Sequence, residues 1–149
     1  MTEVYFYHLQ SRPIEQALPV LLEKSLERGW RVVVQASDDR VEALDAHLWT
    51  YREDSFLPHG THKEPTAAHQ PILLTASPDN PNGAAVRFLI DGAPIPEDAA
   101  SYQRIVLMFD GDDPDAVELA RQHWSSAKAL GLEVTYWQPD EQGRWQRKA

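Results

Sequence analysis

Two groups of ionisable side chains in this sequence have the residue types that bind metal ions. The first is the segment DGDDPD at residues 110–115, which follows a hydrophobic run. Carboxylates at the end of a buried strand hold Mg²⁺ in many enzymes, because that ion prefers oxygen ligands. The same residues suit a helix start, in which Asp113 caps a helix beginning at Pro114 and Asp115 interacts with the helix dipole. We favour the helix start, and a magnesium site is the alternative.

The second group consists of three histidines, His59, His62 and His69, within eleven residues of one segment. Imidazole is a common zinc ligand, but this spacing is not that of a helical HExxH motif. We therefore favour a solvated loop for these histidines. A metal-dependent hydrolase or nucleotide-transfer enzyme that uses Asp110, Asp112 and this histidine loop is the alternative interpretation of the function.

The last amphipathic stretch places a tryptophan beside two cations. At about 100° per residue in a helix, Arg121, Trp124 and Lys128 lie next to one another at the margin of an apolar face. Two cations beside an indole suit an acidic, aromatic or carboxylate-bearing peptide. Periodicity alone favours a simpler interpretation, in which the long cationic side chains only cover the indole. The residues expected to face the sheet are Ala116, Leu119, Ala120, Ala127 and Leu130.

Large apolar side chains also occur where the pattern indicates a helix end followed by a loop. They are Trp49, Tyr51, Phe56, Leu57 and Pro58. Apolar side chains in a loop need a cover, which is either the core of this chain, another protein, or a second copy of the chain.

Composition and charge exclude several classes of protein. The net charge is −9 and the pI about 5.0, so we expect no direct binding to nucleic acid, although a local basic patch would stand out against this background. The absence of cysteine excludes disulfides and thiolate zinc sites and suits a reducing cytoplasm. No stretch approaches the roughly 18 uninterrupted apolar residues of a membrane span, and the N-terminus lacks the basic segment of a secretory signal.

Strand and helix patterns alternate along the chain. The segments with strand patterns are residues 4–9, 30–36, 72–76, 86–90, 104–110 and 132–138. The segments with helical periodicity are residues 14–28, 40–51 and 115–130. This alternation predicts a three-layer α/β/α domain with a mostly parallel sheet. We expect residues 1–138 to form this single domain, residues 58–71 to be a loop within it, and residues 139–149 to be a polar tail that frays.

Phosphate-binding motifs are absent from the sequence. It contains neither G-x-G-x-x-G after the first strand nor G-x-x-x-x-G-K-[ST], and no G-x-S-x-G nucleophile elbow. Without those glycines the backbone cannot wrap closely around a phosphate. We therefore predict a fold of the nucleotide-binding type that lacks a phosphate loop, with no cofactor, no metal and no catalytic site of its own.

The sequence resembles the chi subunit family of bacterial DNA polymerase III along almost its whole length. The matching segments are VYFYHL at residues 4–9, GWRVVV at 29–34, LDxxLW at 44–49, SFLPH at 55–59, RIVLMFD at 104–110, and LARxxW with a later glycine at 119–131. The combination of LDxxLW with SFxPH is the specific part. The resemblance implies a non-catalytic, cytoplasmic accessory subunit of the polymerase holoenzyme, with a fold like that of nucleotide-binding proteins.

The resemblance also implies two protein partners. One is the psi subunit of the clamp loader, which would contact a surface containing Trp49, Phe56, Leu57 and Pro58. The other is the acidic C-terminal tail of the single-stranded-DNA-binding protein, which ends in a phenylalanine carboxylate.

The tail-binding site that the resemblance implies lies on the last helix. Arg121 matches the arginine of the family, and Trp124 stands where a tyrosine is usual. Ser125 occupies a position that is often lysine, and Lys128, one turn further on, would replace the lost charge.

Overall fold

The computed structural model describes residues 2–10, 13–50, 57–142 and 144–149. The strands are β1 (Glu3–Leu9), β2 (Val32–Gln35), β3 (His59–Thr61), β4 (Ile72–Thr75), β5 (Val86–Leu89), β6 (Arg104–Asp110), β7 (Glu133–Pro139) and β8 (Trp145–Arg147). The α-helices are α1 (Ile14–Glu27), α2 (Asp38–Thr50) and α3 (Pro114–Ala129). In the described ranges, no helix is long and apolar enough to cross a lipid bilayer.

The strands form one sheet in the order β3-β4-β2-β5-β6-β1-β7-β8. Neighbouring strands are parallel, except that β8 runs antiparallel to β7. Helices α1 and α2 pack on one face of the sheet, and α3 packs on the other. The predicted three-layer α/β/α architecture with a mostly parallel sheet is confirmed.

Alternation along the strands divides the core into two layers. Val32 and Val34 of β2 face α1 and α2, whereas Val33 faces the side that carries α3. All three side chains are fully buried. A parallel strand that is buried on both faces is a continuous apolar run in sequence, which is why the VVV segment predicts a central strand.

The α3 side of the sheet also buries an arginine completely. Arg87 of β5 is 0% exposed, and its guanidinium donates two hydrogen bonds to Gln35 Oε1, at 2.7 and 3.1 Å, and one to the Tyr102 hydroxyl at 3.0 Å. Two further hydrogen bonds reach the backbone carbonyls of Ser77 and Asp79, at 2.6 and 3.0 Å. These acceptors are all uncharged, and together they tie the loop after β4 to the sheet.

Chain connections at the centre of the sheet run in opposite directions. The chain leaves β1 through α1 and returns at β2, but it leaves the adjacent β6 through α3 and returns at β7, on the far side of β1. Such a reversal opens a crevice at the C-terminal ends of the two strands, where open α/β sheets bind ligands. Leu9 and Asp110, which pair at the ends of β1 and β6, mark this crevice.

Two segments differ from the sequence expectation. The loop prediction for residues 58–71 is wrong at His59–Thr61, which form β3 against β4. The prediction that the polar tail frays is wrong at Trp145–Arg147, which form β8 against β7. Each of these strands is three residues long and lies at a sheet edge, so tertiary pairing creates it and no local pattern announces it.

Candidate partner-binding sites

Helix α3 begins as the sequence predicts. The Asp113 side chain accepts a hydrogen bond from the backbone N–H of Asp115 at 3.0 Å, and Pro114 occupies the first turn. Asp110 Oδ1 accepts the backbone N–H of Asp112 at 2.9 Å. Two of the four carboxylates in this segment therefore accept local backbone hydrogen bonds, which supports the helix-start interpretation.

The face that α3 turns to the sheet differs from the predicted one. Ala120 and Ala127 are buried as expected, but Leu119 is 36% and Leu130 63% exposed. Trp124, which the periodicity places at the margin, packs on the sheet instead. The alanines leave room between helix and strands, and the indole fills it. The prediction that Leu119 and Leu130 face the sheet is therefore wrong.

Trp124 forms one wall of a groove between α3 and strands β1, β6 and β7. Its ring lies 5.2 Å from that of Phe6 and 6.3 Å from that of Tyr136, measured between centroids. The groove has a volume of about 540 Å³. Its lining residues are Phe6, His8, Phe109, Val117, Ala120, Arg121, Trp124, Ser125, Tyr136 and Ala149. We call it the α3 groove.

Three of the four residues predicted to bind an acidic tail, Arg121, Trp124 and Ser125, line the α3 groove. Lys128 lies beside it, with Nζ 5.2 Å from the centre of the Trp124 ring. The Arg121 guanidinium is 3.8 Å from the Glu118 carboxylate, and both side chains are largely exposed. An exposed ion pair of that length contributes little, so Arg121 can turn toward an anion in the groove.

The inner end of the α3 groove holds a histidine and a tyrosine. His8 Nδ1 is hydrogen-bonded to the Tyr136 hydroxyl. His8 Nε2 is buried and has no hydrogen-bond partner among the described residues. Burial lowers the pKa of His8 and raises the pKa of Tyr136. Both side chains are therefore neutral at pH 7, and the cations of α3 supply the positive charge of the groove.

Sequence reasoning missed the strand side of this groove. Phe6 and His8 lie on one face of β1, two residues apart, and Phe6 pairs with Tyr136 of β7. The alternation in the VYFYHL segment separates these side chains from Tyr5 and Tyr7. Nothing in that alternation tells which of the two faces lies under α3.

The predicted psi-binding residues occupy different environments. Trp49, at the end of α2, is 53% exposed, and its ring lies 4.6 Å from that of His59. Pro58 is half-buried. Leu57 is 2% exposed and packs in the core of this chain, which differs from its predicted place on a partner surface. Phe56 lies outside the described residues.

The expectation of a solvated histidine loop is wrong for His59. This side chain is 5% exposed, and its Nδ1 is hydrogen-bonded to the Leu57 carbonyl at 2.7 Å. Its Nε2 lies 3.1 Å from Asp45, close to both the backbone carbonyl and the carboxylate. His59 therefore links the end of α2 to β3. Among the described residues, no group of three histidines or carboxylates has the arrangement of a metal site.

The histidine segment of the hydrolase alternative begins on β3, four strands from β6, which carries Asp110. His59 pairs with Ile72 and is level with Arg104 at the start of β6, four strands away. At about 4.8 Å between strands, that separation is about 19 Å. Asp110 lies six residues further along β6, about 20 Å toward the C-terminal ends of the strands. The two groups do not form one site.

The crevice at the ends of β1 and β6 is crossed by an ion-pair network. Arg40 of α2 contacts Glu15 at 2.5 Å and Asp91 at 2.9 Å. The hydrogen bond to Asp91 is the main reason that the pKa of Arg40 is raised. Arg40 thus holds α1, α2 and the turn after β5 together at the position where related folds bind phosphate.

Comparison with known proteins gives consistent results. A family model described as DNA polymerase III chi subunit, HolC, matches residues 1–135. A Rickettsia prowazekii protein named probable DNA polymerase III subunit chi is 31% identical over 117 residues, covering 74% of this chain and 71% of that protein. A Pseudomonas aeruginosa protein named DNA polymerase III subunit chi is 28% identical over 95 residues, covering 61% and 67%. The chain therefore belongs to the DNA polymerase III chi subunit family, as its sequence resemblance predicts.

Proposed function

We propose that this chain is a cytoplasmic, non-catalytic subunit that connects the clamp loader, through psi, to the C-terminal tail of single-stranded-DNA-binding protein. The observation that carries this proposal is the α3 groove, which combines an aromatic wall with cations at its rim. A peptide that ends in a phenylalanine and follows an acidic stretch presents the complementary groups.

The α3 groove offers separate contacts to the ring and to the charges of such a tail. Phe6, Phe109 and Trp124 surround a space for the terminal phenyl ring, whose full burial contributes about 1.5–3 kcal/mol. Arg121 stands at the rim for the terminal carboxylate, and Lys128 for an acidic residue before it. A phenylalanine inside a chain has no carboxylate to offer, so this pairing selects a chain end.

The surface proposed for psi lies far from the α3 groove. Trp49 is on α2, which packs against β3 and β4 at one edge of the sheet. The groove lies over β6, β1 and β7, and β6 is three strands from β4. At about 4.8 Å between strands, the two surfaces are about 14 Å or more apart. This separation supports simultaneous binding of two partners, which a connecting subunit requires.

Calorimetric titration of a tail peptide against the full chain tests the groove. Arg121→Ala is expected to weaken binding about tenfold or more, since hydrogen bonds to charged groups contribute about 1.5–3 kcal/mol. Lys63→Ala is the matched control, because it removes an exposed cation near the other sheet edge. Deleting the terminal phenylalanine of the peptide should abolish binding. Equal affinity of the Arg121→Ala variant and the control would place the tail elsewhere.

Sedimentation of the chain with psi and a labelled tail peptide tests the connection. We expect a ternary complex in which psi and the peptide bind without mutual competition. Trp49→Ala should lose psi and keep the peptide, and Arg121→Ala should do the reverse. Displacement of the peptide by psi would contradict the proposed connecting role.

A further inference from the structure

The face of the sheet that carries α1, opposite the α3 groove, has a second pocket of about 560 Å³. It lies between the C-terminal half of α1 and strands β5, β6, β1, β7 and β8. Its aromatic lining residues are Tyr5, Tyr7, Trp30, Phe88, Trp137 and Trp145. We call it the aromatic pocket.

Strand alternation makes the aromatic pocket distinct from the α3 groove. Tyr5 and Tyr7 of β1 point to the α1 side of the sheet. The alternating residues Phe6 and His8 point to the α3 side. In β7, Trp137 pairs with Tyr7 and extends the same aromatic row. The two sites therefore share strands but no side chains.

The rings of the aromatic pocket form a partly open surface. Tyr5 and Trp137 are stacked, with centroids 5.5 Å apart and planes inclined by 27°. Trp145 of β8 meets Tyr7 edge-on at 4.6 Å. Trp137 and Trp145 are each half-buried, so part of their ring area remains accessible to a ligand. Aromatic side chains in a row on a sheet surface are the arrangement on which single-stranded nucleic acid stacks its bases.

Cations surround these rings although the protein is acidic. Lys24, Arg28 and Arg104 line the pocket, against the single lining carboxylate of Glu27. The Arg104 guanidinium carbon lies 4.1 Å from the centre of the Tyr5 ring. In a chain of net charge −9, this is a local basic patch of the kind that phosphate binding requires.

Arg104 has unused hydrogen-bonding capacity in the pocket. One terminal nitrogen donates to Glu3 at 3.2 Å, but Nε is buried and has no partner among the described residues. Leaving a buried donor unsatisfied is unfavourable. The Arg28 and Arg104 guanidinium carbons lie 5.0 and 5.1 Å from the centre of the Trp30 ring, which holds both near the rim. A phosphate at this rim would meet the 15% of the Arg104 side chain that is exposed, and not the buried Nε.

We propose that the aromatic pocket binds a short segment of single-stranded DNA. Bases stack on Trp137 and Trp145, while phosphates contact Lys24, Arg28 and Arg104. An acidic peptide would satisfy the cations, but it would not use a surface of several neighbouring rings. Stacking and phosphate contacts do not distinguish one base from another, so we expect binding to be independent of the nucleotide sequence. We expect a dissociation constant of the order of 10⁻⁴–10⁻⁶ M, the range of such binding at physiological salt.

Fluorescence anisotropy of a labelled oligo-dT, with the full chain as titrant, tests this site. Lys24→Ala and Arg28→Ala remove exposed cations and should each weaken binding several-fold. Each should also reduce the slope of log K against log salt by about 0.7, the value for one phosphate contact on a single strand. Lys63→Ala is the control and should change neither quantity. Stacking should quench tryptophan fluorescence, and an abasic oligonucleotide of equal charge should bind about tenfold more weakly.

Three results would overturn the proposal. They are equal binding of abasic and oligo-dT strands, unchanged binding in both cation variants, or displacement of the DNA by an acidic peptide that ends in phenylalanine. The last result would assign the oligonucleotide to the α3 groove. Binding of oligo-dT that persists with saturating tail peptide is therefore part of the expected outcome.

Discussion

Replacing the buried arginine of β5 tests the account of the core. Arg87→Met keeps the unbranched apolar stem but removes the guanidinium, and with it the arginine donors to Gln35 Oε1 and to the Tyr102 hydroxyl. These two side chains are 8% and 3% exposed. At about 1–3 kcal/mol for each buried group left without a partner, the loss is about 2–6 kcal/mol. Removing a desolvated charge offsets part of this loss, so we expect destabilisation of about 2–4 kcal/mol.

Urea denaturation followed by circular dichroism measures this effect. In a domain of this size, about 3 kcal/mol corresponds to a melting temperature lowered by about 6–12 °C. Arg121→Met is the matched control, because the Arg121 side chain of α3 is largely exposed. It should change the free energy of unfolding by about 0.5 kcal/mol or less.

A double-mutant cycle identifies the partner. Gln35→Leu alone leaves part of the guanidinium unpaired, whereas Gln35→Leu combined with Arg87→Met removes both members. The double variant should therefore lose less stability than the sum of the single variants, by about 0.5–3 kcal/mol. Additive losses, or an Arg87→Met protein as stable as the control, would refute the idea that these hydrogen bonds hold the loop after β4.

Further predictions concern the two proposed partner surfaces and the inner end of the α3 groove. Ser125→Lys should strengthen tail-peptide binding by a factor of about 1.4 to 5 in calorimetry, since an exposed ion pair contributes about 0.2–1 kcal/mol. Trp49→Ala should weaken psi binding by about 2 kcal/mol or more, as expected of an exposed aromatic anchor, while thermal melting shows an intact fold. His8→Gln should reduce the loss of stability below about pH 6.5, measured by urea denaturation at several pH values. The reason is that burial lowers the pKa of His8 in the folded protein below its unfolded value near 6.5. Below about pH 6.5 the unfolded state therefore binds a proton more readily than the folded state, and the free energy of unfolding falls.

Each of these predictions has an outcome that contradicts it. An unchanged affinity of Ser125→Lys at low salt would show that position 125 does not face the bound tail. A Trp49→Ala protein that unfolds would make Trp49 a core residue and remove it from the psi surface. An unaltered pH dependence in His8→Gln, equal to that of a control such as exposed His69→Gln, would assign the acid loss to other groups.

The fold is predictable where local pattern and tertiary packing agree. The RIVLMFD run predicts a buried strand over residues 104–110, and β6 has those bounds. The prediction of a helix cap at Asp113 is correct because capping depends on neighbouring residues alone. Strands β3 and β8 are not predictable from the sequence, because three residues are too few to show an apolar alternation and because pairing with β4 and β7 creates these strands.

The α3 groove was predictable only on its helical side. Arg121 and Trp124 share one edge of a helix, and helical spacing reveals that. Helical periodicity did not show that α3 approaches the sheet most closely at Ala120 and Ala127. For that reason it assigned Leu119 to the face that contacts the sheet, which is wrong. The contributions of Phe6 and Tyr136 depend on the pairing of β1 with β7, which no local signal encodes.

The alternation of β1 between two sites limits which changes of chain length this protein tolerates. Phe6 lines the α3 groove, and its neighbours Tyr5 and Tyr7 line the aromatic pocket. Inserting or deleting one residue within β1 would move every following side chain to the other face. Such a change would exchange the walls of both sites at once, whereas a substitution at one position alters a single site. Length variation among relatives should therefore avoid this strand and occur in the loops, even where the residues of the strand themselves change.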